Sequence, residues 1–229
     1  MKRKRDMEIE STEIRSAIQE LSMLQLLKVQ PEEAEAEADD HNITTIPTLP
    51  FLSISTLVLQ VLDKIGPTMT VLRQDIYQNI QRLEKIHDSD PSLYSNIVEI
   101  LKKEVNEGKE RKGPSCSKAV LWLTRSLDFT LALLQLLVED LERNMEQAVQ
   151  ESYTKTLKPW HGWISSAAFK VALKLVPDSK GLITILMGKN KSNDDFKKEM
   201  RTLISLLAPL LKEIHNVLGA YGLDTLKST

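Results

Sequence analysis

The 229-residue chain has a single cysteine, Cys116, only four histidines and 5% aromatic residues. A lone cysteine forms no internal disulfide and no thiolate metal cage, which suits a reducing compartment. The histidines, His41, His87, His161 and His215, lie far apart, and none has a partner at metal-ligand spacing within a helical segment, so no metal site is expected. Nucleophile elbow, P-loop, dinucleotide fingerprint and HExxH zinc motif are all missing, which leaves no signature of an enzyme or of a cofactor. Charge of one sign is lacking too. Thirty basic residues face 32 acidic ones, a net charge of −2 without the basic field that phosphate neutralisation requires, so no nucleic-acid partner is expected. The most apolar run, 131–138, is far shorter than the roughly 20 residues of a membrane span. Acidic and polar residues follow the basic start Met1-Lys2-Arg3-Lys4-Arg5 where a secretory signal needs an apolar stretch. The expectation is a cytosolic protein that neither spans a membrane nor is secreted.

What is present is ordinary globular composition, 41% hydrophobic and 27% charged, distributed unevenly. Residues 1–46 read as an N-terminal extension, partly disordered. Within it, 13–29 place Ile14, Ile18, Leu21 and Leu24 at the spacing of a short amphipathic helix, and 31–40 hold six acidic side chains and no base. Without that acidic run 30 basic residues face 26 acidic ones, so the remainder is mildly basic at +4. Residues 47–229 read as one folded domain. Apolar periodicity and Gly/Pro punctuation predict helices over 51–64, 67–87, 91–107, 118–142, 144–158, 160–175 and 193–219. The centre of 118–142 is apolar on nearly every face, so it needs neighbours on more than one side. The pattern predicts an all-α domain of about eight helices packed in layers.

Three segments carry candidate chemistry. In the helix over 67–87, Met69, Leu72, Ile76, Ile80 and Leu83 form an apolar stripe, and Asp75, Asn79 and Arg82 line up about 100° away. Such a line is either a solvated polar face or a polyol site, in which a carboxylate accepts hydroxyl hydrogen bonds and an amide both donates and accepts. Trp122, in Leu121-Trp122-Leu123-Thr124-Arg125, is either core or a flat platform for the apolar face of a sugar ring. In Trp160-His161-Gly162-Trp163, after Pro159, the histidine is either structural or a donor to a ligand carbonyl, and Trp163 can sit at a membrane interface.

Taken in order over about 90 residues, Asp75-Ile-Tyr-Gln-Asn79-Ile-Gln-Arg82, Leu121-Trp122-Leu123-Thr124-Arg125 and Trp160-His161-Gly162-Trp163 resemble the signatures of the glycolipid transfer protein family, in its plant form. The likeness runs from about Pro47 to Leu223. It implies an all-α, two-layer helical sandwich enclosing an apolar lipid pocket. It also implies a monomer that carries one glycosphingolipid between membranes, meets the membrane surface transiently, and uses neither cofactor nor covalent chemistry. By that resemblance Asp75 and Asn79 bind the sugar and the sphingosine amide, and Trp122 underlies the first sugar. His161 then donates to the acyl carbonyl, Arg82 assists at the headgroup and Trp163 docks on the membrane.

The family divides by headgroup. Ceramide-1-phosphate carriers have cations where Asn79 and Trp122 stand here, because a phosphate needs charge-assisted donors. The sequence therefore follows the glycolipid pattern, with a glucosylceramide-like ligand. Two residues leave a ceramide-1-phosphate carrier as the alternative: Arg82, where animal members have lysine, and Arg125, a second nearby cation. A sphingolipid-sensing interaction module, with residues 1–46 contacting a partner, is another. The ending Leu223-Asp-Thr-Leu-Lys-Ser-Thr229 offers no counterpart to the tyrosine-bearing segment that closes animal members.

Overall fold

The computed structural model describes residues 12–29, 45–188 and 192–228. The acidic run at 31–40 lies outside them. Among the described residues there are nine α-helices and no strand: α1 (Glu13–Val29), α2 (Thr48–Ile65), α3 (Thr70–Ser89), α4 (Ile97–Asn106), α5 (Cys116–Glu139), α6 (Met145–Thr156), α7 (Trp163–Leu173), α8 (Ser179–Met187) and α9 (Asn193–Ala220). A closed ring of helix pairs surrounds the core, α1 on α2, α2 on α3, α3 on α5, α5 on α9 and α9 back on α1. Helices α4 and α6 cover α5 from its other sides, which gives its all-round apolar centre the neighbours it requires. By length and composition α2, α5 and α9 could each cross a membrane; here their apolar faces pack into one core.

Local chemistry fixes the joints. Ser115 caps α5 by accepting from Lys118 N, and the Glu104 carboxylate of α4 accepts from Cys116 N, Ser117 N and Ser117 Oγ, each at 2.7 Å. An acid at a helix N-terminus satisfies free N–H groups and complements the positive end of the dipole. The Asn96 side chain caps α4 through Val98 N and also accepts from Ile46 N, while Ile97 N donates to Ile46 O, so the starts of α2 and α4 are pinned together.

Two expectations change. The first is the boundary at 46/47. Helix α1 is part of the core, because its apolar face needs a partner and finds one on α2 and α9. Ile14, Ala17, Leu21 and Leu24 are all buried, and Arg15–Glu199 and Lys64–Glu13 ion pairs flank them. Its cap, Thr12, is packed so closely on Gly188 (φ +70°) that a Cβ there would lie 2.7 Å from Thr12 Cγ2. The second is α8. Pro177-Asp178 reads as a stop, yet Asp178 is the N-cap of another helix, accepting from Gly181 N at 2.7 Å. Among the described residues the count is therefore nine rather than about eight. Within 91–107, residues 93–95 form a separate 3-10 turn before α4, with Asn96 extended between them.

Candidate functional site

Helix α3 carries its acid, amide and guanidinium beside the buried stripe Ile76, Ile80 and Leu83. Asn79 is nearly buried; its Nδ2 donates to Asp75 O and its Oδ1 accepts from Arg82 Nη1, both at 3.0 Å. Arg82 and Asn79 thus hold one another one turn apart. Asp75 turns a face to solvent, but the protein around its carboxyl desolvates it and raises its pKa, with Arg82 opposing. Along the line Asp75 is exposed, Arg82 half-buried and Asn79 buried, so only its middle is withdrawn from solvent.

The second cluster joins α5 to the turn between α6 and α7. The Trp122 and His161 rings lie 5.6 Å apart and tilted by 42°, and Tyr153 meets the other side of His161 at 5.4 Å. Tyr153 in turn stacks on Phe169 at 3.5 Å. His161 Nδ1 is buried with no hydrogen-bond partner, which leaves an open polar valence beside an indole. Burial first, and the Arg125 charge second, lower the His161 pKa, so at neutral pH the ring is uncharged and keeps one donor and one acceptor nitrogen.

Arg125 is not free for a ligand phosphate. It is 1% exposed, with Nη1 donating to Leu226 O at 2.7 Å and Nη2 to Asp224 O at 2.8 Å. Its guanidinium lies 4.9 Å from the Trp122 ring and 4.2 Å from the Trp160 ring, within cation–π range. Burial pulls its pKa down to about 10, so it stays charged at neutral pH. Sequence reading missed this arrangement and gave no role to Trp160, Tyr153 or residues 224–228. Only the i, i+3 spacing of Trp122 and Arg125 on one helix signalled any of it.

The structure therefore gathers the predicted residues into two groups, Asp75, Asn79 and Arg82 on α3, and Trp122 with His161 against α5, on helices that pack together. The Cys116 thiol at the start of α5 points to Arg82 O at 3.9 Å. Trp163 stands apart, 81% exposed at the start of α7, a helix with no buried residue. Where the apolar lipid pocket is expected, buried residues of α2, α5 and α9 belong to one continuous apolar core. A solvent-open groove of about 410 Å³ beside Trp160, Asp128 and His215 touches neither Asp75 nor Trp122.

The all-α fold sets an indole and a neutral histidine on one side and an acid–amide–guanidinium line on a helix packed against α5, and the comparisons with known proteins place it in a lipid-transfer class. Residues 46–188 match the family model of glycolipid transfer proteins. The chain is 57% identical to glycolipid transfer protein 3 of Arabidopsis thaliana over 217 residues, covering 95% of this chain and 92% of that one. It is 52% identical to glycolipid transfer protein 2 of the same plant, covering both chains in full. Among solved structures, that of FAPP2, described as selecting simple glycosphingolipids using the GLTP fold, superposes with a TM-score of 0.73 at 25% identity, covering 83% of this chain and 93% of that one. The chain belongs to the glycolipid transfer protein family, as a plant-type member.

Proposed function

We propose that the protein is a cytosolic monomer that binds one glucosylceramide-like glycosphingolipid and carries it between membranes. The observation that carries this reading is the uncharged Trp122–His161 pair. It offers a flat apolar platform and an unpartnered ring nitrogen, while the nearest cation, Arg125, is committed to backbone carbonyls. A sugar needs a stacking face and neutral donors and acceptors; a phosphate needs charged donors at the site. Asp75 and Asn79 supply the acceptor and amide for hydroxyl and sphingosine amide groups, with Arg82 holding Asn79 in place. His161 then donates to the acyl carbonyl.

The two chains of a ceramide gain about 0.8 kcal/mol per CH₂ on leaving water, so a carrier must offer an apolar lining to compete with the bilayer. Half-buried Leu57, Val58, Val61, Phe129, Leu131 and Leu133 line faces of α2 and α5 that can part to form one. Helix α7 presents Trp163, Ile164 and Val171 to solvent, followed just past its end by exposed Leu175, with exposed Lys158 and Lys170 nearby in sequence. That combination suits transient docking on an anionic bilayer, the indole seated at the headgroup level. The Trp163→Ala variant should lose most liposome association in a flotation assay while keeping its circular dichroism; undiminished association would remove α7 from the docking role.

A further inference from the structure

The segment 224–228 bonds Arg125, His215, Trp160, Gly162 and Ser165, residues that surround the Trp122–His161 pair. Its upstream end is anchored by Leu223, fully buried. Asp224 O and Leu226 O accept from Arg125 of α5, the residue whose guanidinium lies against both Trp122 and Trp160. The Asp224 carboxylate meets His215 Nδ1 of α9 at 2.7 Å, and His215 Nε2 meets Asp128 of α5 at 2.8 Å. Ser228 completes the path: its N donates to Trp160 O at 2.9 Å, its Oγ accepts from Gly162 N at 2.9 Å and lies 3.0 Å from Ser165 Oγ.

We propose that residues 224–228 form a strap that sets the geometry of the Trp122–His161 platform, with Arg125 and Ser228 as positioning residues for the headgroup. A buried guanidinium is costly unless its donors are matched, and here, among the described residues, the only partners are strap carbonyls on the two Nη groups, with Nε left without one, so losing the strap would strip the guanidinium of all its hydrogen bonds. The strap is thus the condition for Arg125 to lie between the two indoles. At its far end Ser228 brackets His161, bonding the residue before it and the residue after it. The turn 160–162 contains no regular helix of its own, so these bonds fix where the imidazole stands relative to Trp122. The bonds at Ser228 are to backbone groups and a hydroxyl, whereas the other end of the strap is held by the Asp128–His215–Asp224 chain.

The proposal rests on the glycolipid reading for its functional consequence, and its test separates the two. Amide hydrogen exchange at Gly162, measured in the full chain without lipid, reads the clip directly. Ser228→Ala should raise that exchange rate about tenfold, the value of one lost hydrogen bond, and Ser228→Thr should restore protection. In vesicle transfer of labelled glucosylceramide, Ser228→Ala should raise the half-saturating lipid concentration about 3–10-fold with the maximal rate within about twofold of wild type. Arg125→Lys, which keeps the charge without the planar fork, should do the same. Unchanged Gly162 exchange in Ser228→Ala would overturn the strap. Faster exchange with unchanged half-saturation in both variants would overturn its positioning role. Failure of the wild-type protein to transfer any glycosylceramide would overturn the headgroup reading instead, with Gly162 exchange still deciding the strap.

Discussion

Trp122 shows how a single residue type acquires a role from its surroundings. An indole on a buried helix is ordinarily core, but this one is half-exposed and shares its neighbourhood with a neutral imidazole and a guanidinium. Replacing it with alanine removes a stacking face worth about 1 kcal/mol or more beyond area. Trp122→Ala should therefore weaken glucosylceramide binding at least about tenfold, while melting temperature changes far less, as read by titration and calorimetry on the same sample. His215 gives a prediction about pH. Its bonds to Asp128, opposed by partial burial and helped by Asp224, raise its pKa from 6.5 to about 9. A group with a raised folded-state pKa stabilises fully below its unfolded pKa and loses that contribution as pH rises through the folded value. The melting temperature should fall between about pH 6.5 and 9 in wild type, by a few degrees for each kcal/mol. In His215→Gln that slope should flatten; an equal slope in both would show that other groups set it. The residue types of the site were legible in sequence, because acid, amide and guanidinium fall on one helical line. The fate of Arg125 was not: its partners are carbonyls about 100 residues away, and a backbone acceptor leaves no trace in side-chain identity.

At the scale of elements, legibility followed how much of an element's signal is internal. Helix α5 announces itself by an unbroken apolar centre, and α3 by a stripe with a proline ahead of it. Helix α8 has only nine residues, and its cap, Asp178, directly follows a proline that reads equally well as a stop. Helix α1 was recognisable as amphipathic, but amphipathicity alone does not say whether a partner face exists within the same chain. That face is supplied by α2 and α9, whose residues are as far as about 200 positions away in sequence. Deleting the segment containing α1 should therefore damage the fold itself. Leu21, 2% exposed on α1, gives a sharper version. Leu21→Ala should cost about 2–4 kcal/mol and lower the melting temperature by roughly 5–15 °C. A loss below about 1 kcal/mol would show that α1 contributes little to the core. Helix α7 is the opposite case, apolar in composition yet without a buried residue: Trp163, Ile164 and Val171 are exposed, while Phe169 and Leu173 pack against the core.

At the scale of the molecule, a near-neutral chain with a surface helix that exposes apolar side chains, a continuous apolar core and an uncharged aromatic pair fits the proposed carrier. The fold class and family were already implied by three short motifs, while the docking of α1 into the core and the bonds of residues 224–228 depend on packing between segments that no local pattern encodes. The central claim is selection of a neutral sugar headgroup over a phosphate. The direct measurement is transfer between vesicles by the wild-type protein, with labelled glucosylceramide and labelled ceramide-1-phosphate compared at equal concentration. Faster transfer of glucosylceramide, by tenfold or more for about 1.4 kcal/mol of discrimination, is the predicted result; preference for ceramide-1-phosphate would contradict it.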